Sequence, residues 1–449
     1  MQASDLFLLR ARWVLPIEPA GVVLSDHSVV IQGDRILDIL PSAVAPTHYP
    51  SAVVVPLEDH VLIPGLVNAH THAAMTLLRG LSDDLPLMTW LTEHIWPAEA
   101  RFVGPEFVRD GTTLAAAEML LSGTTCFNDM YFFPEEAAEA AVATGIRASI
   151  GLIVLDLGTR WARNAKEYLE RATVMHERLA NRPLIRTTLA PHAPYTVSDT
   201  ALLQVRELAA EWDVPIHMHV HETATEVTQS LATHNERPLA RLQRLGLLSS
   251  RLLAVHMTQL TPAEIVLCAR SGVQVVHCPE SNLKLASGFC PVMRLRAAGI
   301  KLAIGTDGAA SNNDLDMLGE LRTAALLAKA VSGDPRTLSA DDALRLATLG
   351  GAEALGMGRE IGSIVPGKAA DLVAVNLAHV ATTPVYRAVS ALVYAANRSA
   401  VSDVWVAGQR VVQDGALTTM DITDVLARAH AWGERIAEKD GHNPHGSMK

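Results

Sequence analysis

Cysteine is scarce: Cys126, Cys268, Cys278 and Cys290 are the only four in 449 residues, and none forms a C-x-x-C pair. That spacing excludes a zinc ribbon and gives no disulfide framework, so a reducing compartment is expected. Long hydrophobic runs are missing too, and nothing reaches the ~20 apolar residues that a membrane span needs. The first ten residues lack the basic stretch of a secretory leader, and Arg10 and Arg12 interrupt the apolar residues early. A cytoplasmic protein is the expectation. Positive charge is in deficit, with 37 Lys and Arg against 48 Asp and Glu, a net charge of -11 and no basic stripe. Nucleic-acid binding rests on clustered cations, so such a partner is not expected.

What is present divides along the chain into three stretches. The length suits a barrel of roughly 250 residues plus one smaller unit. Residues 5 to 58 carry short β-type runs (Phe7 to Leu9, Val22 to Leu24, Ser28 to Ile31, Ala52 to Val55) broken by turn signals. From about 60 to 360, apolar runs alternate with helical stretches such as Glu135 to Thr144 and Ser198 to Trp212, the pattern of repeated βα units. Eight strands are predicted: Leu62 to Asn68, Gly123 to Asp129, Arg147 to Leu155, Ile185 to Ala190, Ile216 to His221, Leu252 to His256, Gln274 to Cys278 and Leu302 to Asp307. Beyond 360, β character returns in Gly362 to Val375 and Val401 to Val412. The expected fold is α/β: a (β/α)8 barrel over residues 61–359, with a small composite β-sandwich built from 1–60 and 360–449. The tail from Glu434 to Lys449 is expected to be partly disordered, with His442 and His445 solvated.

Chemistry gathers where strands are predicted to end. His70-x-His72 places two imidazoles on one side of a strand, since residues two apart share a face. Alone, that pair is a weak sign of a metal. His219 and Asp307, at two further strand ends, add a nitrogen and an anionic oxygen, a set that suits Zn2+ or a similar divalent ion with one position open for water. In the run His217-Met218-His219-Val220-His221-Glu222, His217 lies deepest and reads as a hydrogen-bonded core residue, and His221 as lying outside the metal's immediate ligands. Glu222 has the wrong parity for a regular strand, but the strand is ending there, and a carboxylate beside an activated water moves protons from nucleophile to leaving group. His256 and His192 end two more strands and read as residues facing the same mouth.

These segments, with His277-Cys278-Pro279-Glu280-Ser281-Asn282, Gly305-Thr306-Asp307-Gly308 and the Gly362 to Asp371 stretch, resemble the amidohydrolase superfamily in its mononuclear deaminase and chlorohydrolase branch over nearly the whole chain. The resemblance implies that His70, His72, His219 and Asp307 hold one divalent metal ion, zinc being the expected one. It makes Glu222 the proton shuttle and a substrate contact, and has His256 and Asp307 act on the attacking water and the substrate. Strand four lacks the lysine that bridges two ions in related barrels, which favours a single metal. Glu99 is expected to take ribose hydroxyls, His192 to touch the purine or ribose, and an arginine of Arg160-Trp161-Ala162-Arg163, taken as Arg163, to approach the nucleoside. Leu85 to Leu91 either covers an apolar thioether or packs on the barrel.

The activity implied is hydrolytic deamination of adenine nucleosides such as 5′-methylthioadenosine or S-adenosylhomocysteine, through a metal-activated water, giving ammonia and the inosine derivative. Guanine or other aminopurine deamination and triazine dechlorination are alternatives on the same site, and cyclic amide hydrolysis is a less favoured one. The combined H-x-E and P-C-x-x-C signature of the helical zinc nucleobase deaminases is absent. The partner expected is a small nucleoside, with no membrane, and a homo-oligomer follows only from the likeness.

Overall fold

The barrel arises because eight short runs rich in apolar residues are buried almost throughout, with both faces covered, which is what a parallel sheet wrapped in helices requires. The computed structural model describes residues 6–440. The amino-terminal strands are β1 (Leu6–Val14), β2 (Leu24–Gln32), β3 (Arg35–Pro41) and β4 (Val53–Pro64). The barrel strands follow: β5 (Leu66–Thr71), β6 (Thr124–Tyr131), β7 (Arg147–Val154), β8 (Ile185–Pro191), β9 (Ile216–Val220), β10 (Leu252–His256), β11 (Gln274–His277) and β12 (Leu302–Ile304). They pair in parallel in chain order from β5 to β12. At the seam, Asp307 N–H donates to the His70 carbonyl at 3.0 Å. Gly305 makes that approach possible, because a Cβ there would lie 2.6 Å from His70 N.

One predicted strand proves to be parts of two. The run Leu62 to Asn68 joins the end of β4 to the start of β5, and the break falls at Gly65, where a Cβ would lie 1.9 Å from Thr125 Oγ1. Both strands are buried at this junction, so the apolar run continues through it and conceals the change of sheet.

The second sheet is completed by β13 (Leu372–Asn376), β14 (Val401–Val406), β15 (Gln409–Gln413) and β16 (Ala416–Leu417). Its order is β16-β15-β14-β13-β4-β1-β2-β3, so the two chain ends meet where β13 lies antiparallel to β4. Of the predicted Gly362 to Val375 run, only the last part is strand. A buried ion pair ties the sheet to the barrel: Arg147, at the start of β7, donates from Nε and Nη2 to Asp371 at 2.9 and 3.0 Å. The helix Ile422–Asp440 takes in the first part, Glu434 to Asp440, of the tail expected to be partly disordered. Trp432 and Ile436 are buried, and Trp432 Nε1 donates to Asp110 Oδ2 at 2.9 Å, which anchors the helix on the barrel helix Pro105–Leu121. His442 and His445 lie outside the described residues.

Candidate active site

Strand ends from opposite sides of the barrel bring His70, His72, His219 and Asp307 together, with one ligand atom of each within 4.8 Å of the others. Their remaining atoms are fixed by neighbours. His72 Nδ1 donates to the Met130 carbonyl at 2.6 Å and His219 Nδ1 to the His192 carbonyl at 2.9 Å, so each turns a bare Nε2 to the centre. Asp307 Oδ2 accepts from Ser281 and Ser311 hydroxyls at 2.7 and 2.8 Å, which leaves Oδ1 for the cluster. His217, buried behind the cluster, sets its Nε2 2.8 Å from His70 Nδ1, and Asn128 Nδ2 approaches its other nitrogen at 3.1 Å.

This donor set fits a cation. His72 Nε2 and Asp307 Oδ1 stand 3.2 Å apart and His219 Nε2 lies 3.2 Å from His70 Nε2. Two acceptors that close, out of water, require a proton or a metal between them. Burial opposes charge on His72, yet the hydrogen bond and charge of Asp307 prevail and hold its pKa up at about 9, as if a proton filled the ion's place. Burial would raise the Asp307 carboxyl, but His70 and His72 keep it well below the ordinary range. Nitrogen and oxygen donors in this ratio suit a zinc-like ion with a position left open.

The backbone then turns two more groups inward. β9 stops at Val220, and His221 takes a left-handed φ of 53°, which swings Glu222 into the cavity against its strand parity. His221 itself is buried outside the cluster, its Nε2 accepting from Leu239 N–H at 3.2 Å. Glu226 fixes the turn by accepting from the His221 and Glu222 N–H groups at 3.0 and 2.7 Å. Sequence reasoning missed it, although Thr223-x-x-Glu226 is the pattern of a capped helix start. Burial raises the Glu222 pKa, against the charge of His256, whose Nε2 lies 3.8 Å away. His256 has φ 73°, a conformation that stores strain and clusters at functional sites, and its Nδ1 is 2.9 Å from Asn282 Oδ1.

A cavity of about 440 Å³ opens over these groups, within the range for small-molecule sites. Leu87, Trp90, Leu91, Phe132, Leu155 and Leu157 supply apolar walls, so the segment Leu85 to Leu91 contributes to the cavity as well as packing on the barrel. A wide i→i+5 turn over Trp90–Ile95 leads into the helix Trp96–Phe102, which presents Glu99 to the cavity. Burial lifts the Glu99 pKa to about 7, although a hydrogen bond from Tyr131 Oη at 2.8 Å opposes the rise.

His192 lines the same space. Thr196 Oγ1 donates to Ala193 O and accepts from His192 Nδ1 at 3.0 Å, so His192 Nε2 remains an acceptor. Arg163 is a correction. Its side chain is 85% exposed and is held outside the cavity by Glu167 at 2.8 Å, because Glu167 sits four residues on, at the start of the helix Ala165–Leu179. Arg160, from the same loop, lines the cavity instead.

Eight strand ends, a cluster of imidazoles with one carboxylate, and a second carboxylate in a largely apolar cavity define a metal-dependent hydrolase. The chain belongs to the amidohydrolase family, whose profile matches residues 61–411. It is 46% identical to the 5-methylthioadenosine/S-adenosylhomocysteine deaminase of Teredinibacter turnerae over 96% of this chain and 98% of that one. The protein of the same name from Thermodesulfovibrio yellowstonii is 44% identical over 96% and 98%. Among solved structures, an adenosine deaminase from Xanthomonas campestris with bound zinc superposes with a TM-score of 0.93 at 54% identity, covering 96% of this chain and 98% of that one. An atrazine chlorohydrolase from Arthrobacter aurescens, at 24% identity, shares the fold with a TM-score of 0.88 over 95% and 99%.

Proposed function

We propose that this chain hydrolyses the 6-amino group of adenine nucleosides such as 5′-methylthioadenosine and S-adenosylhomocysteine, releasing ammonia and the inosine derivative. The observation that carries the reading is Glu222: a buried carboxyl, raised in pKa, in the cavity beside the imidazole cluster. The names of the relatives supply the substrate class.

His70, His72, His219 and Asp307 hold one divalent ion, zinc by likeness to the Xanthomonas protein. When bound, the ion acts as a Lewis acid that brings a water's pKa towards about 7. The side chains do the rest. Glu222 enters protonated and gives its proton to purine N1 as the water oxygen bonds to C6, while Asp307 takes a proton from that water. The hydroxyl proton on C6 then passes by way of Glu222 to the amine, the C6–N6 bond breaks with ammonia leaving, and the proton on Asp307 restores Glu222. His256, tied through Nδ1 to Asn282, holds the water from its Nε2. Glu99 takes sugar hydroxyls, and the acceptor Nε2 of His192 suits a further hydroxyl donor. Buried free cysteines accord with the cytoplasm as the setting.

Ammonia release measured side by side on methylthioadenosine, S-adenosylhomocysteine, adenosine, guanine and a chlorotriazine tests the reading. Adenine nucleosides should exceed the other two by at least two orders of magnitude in kcat/KM, and a preference for guanine or the triazine would overturn it.

A further inference from the structure

We propose that Tyr131 is a positioning residue for sugar recognition: its hydroxyl holds one oxygen of Glu99, so that the other is presented to the nucleoside hydroxyls. The inference rests on the reading that Glu99 binds the sugar. Tyr131 is the last residue of β6 and only 3% exposed, with its ring 5.3 Å from that of Phe132 and 6.5 Å from that of His72. Its phenol oxygen therefore has a fixed place in the barrel wall. Glu99 belongs to a helix outside the strands, with three rotatable side-chain bonds and apolar neighbours such as Ile95 and Val103. The 2.8 Å bond from Tyr131 to Glu99 Oε1 joins the flexible group to the rigid one.

The second consequence is electrostatic. A carboxylate in an apolar wall resists ionisation, and a hydroxyl that donates to it favours the charged form. Two hydroxyls of a ribose can both donate only to a carboxylate acting purely as acceptor. Tyr131 thus fixes the direction of Glu99 and favours its charged form.

Steady-state kinetics of the zinc-loaded enzyme, Y131F and E99A on adenosine and 2′,3′-dideoxyadenosine test this. Y131F should raise KM for adenosine about tenfold with kcat within about twofold, the loss of one charge-assisted hydrogen bond. Its kcat/KM on dideoxyadenosine should equal that of the parent, which also reports an intact fold. The pH below which KM for adenosine climbs should move upward in Y131F, because the hydrogen bond that lowers the Glu99 pKa is gone. Equal losses on both nucleosides, or an unmoved pH profile, would overturn the positioning role. The underlying reading has its own readout: E99A must abolish the preference for adenosine over dideoxyadenosine, and a retained preference would show that Glu99 does not bind the sugar.

Discussion

Each ligand atom at the barrel mouth is available because the other polar atom of the same side chain already has a partner. Ser281 and Ser311 do this for Asp307, as the Met130 and His192 carbonyls do for His72 and His219. Removing both hydroxyls, as S281A/S311A, should weaken zinc binding about 10- to 100-fold, the usual cost of losing such outer partners, as measured by competition with a chelator. Glu222→Gln should keep one zinc per chain and lose turnover by at least three orders of magnitude, since an amide cannot carry the proton to N1. Normal ammonia release from that variant would remove Glu222 from the mechanism. Glu99 gives a pH dependence: its pKa, raised to about 7, leaves it protonated below that value, where it cannot accept two hydroxyls. KM for adenosine should therefore climb as pH falls through about 7, with a smaller change for dideoxyadenosine. At this scale much was legible, because histidines at period two and an Asp after an apolar run are unusual in sequence. Tyr131 was not, since a tyrosine that ends a strand reads equally well as core.

Elements place these residues by where they stop and how they turn. β9 ends one residue before His221, and the left-handed turn there, not strand geometry, delivers Glu222. The wide turn over Trp90–Ile95 keeps Leu87, Leu91, Ile95, Glu99 and Val103 on the cavity side, absorbing the drift that a 3.6-residue helix accumulates at that spacing. Inserting one alanine after Glu93 should rotate Glu99 about 100° from Tyr131 and raise KM for adenosine to that of E99A. Deleting the exposed His94 converts the wide turn into ordinary helical turns and keeps Glu99 in phase, so KM should change far less. Equal impairment of both variants would refute the phase argument. Strand positions were readable because eight apolar runs are separated by helical stretches. The wide turn left no trace in the sequence, because Trp90 to Ile95 has the same periodicity as any amphipathic segment.

For the whole molecule, the decisive contact is the one between the two sheets. Arg147 and Asp371 are 224 residues apart in sequence and nearly inaccessible, with side-chain exposures of 8% and 1%. Arg147→Met would leave a buried carboxylate without its guanidinium, at a cost of about 3–5 kcal/mol in urea unfolding. Replacing both, as R147M/D371N, should recover part of that loss, and because the pair lies at the amino-terminal end of β7, away from the mouth, kcat/KM should be unchanged.

The sequence by itself marked out the barrel strands and put forward His70, His72, His219, Asp307 and Glu222 as candidates, because each stands out in local pattern: which residues are apolar, at what spacing, and which polar residue follows. Tertiary structure decided which residues share the cavity. Arg163 was paired with Glu167 and turned out to solvent, while Arg160 and Tyr131 came to line the cavity. It also decided that the β4 and β5 run belongs to two sheets. Those outcomes depend on distances between segments remote in the chain, such as Tyr131 to Glu99 or Gly65 to Thr125, and close packing sets such distances only once every element is in place.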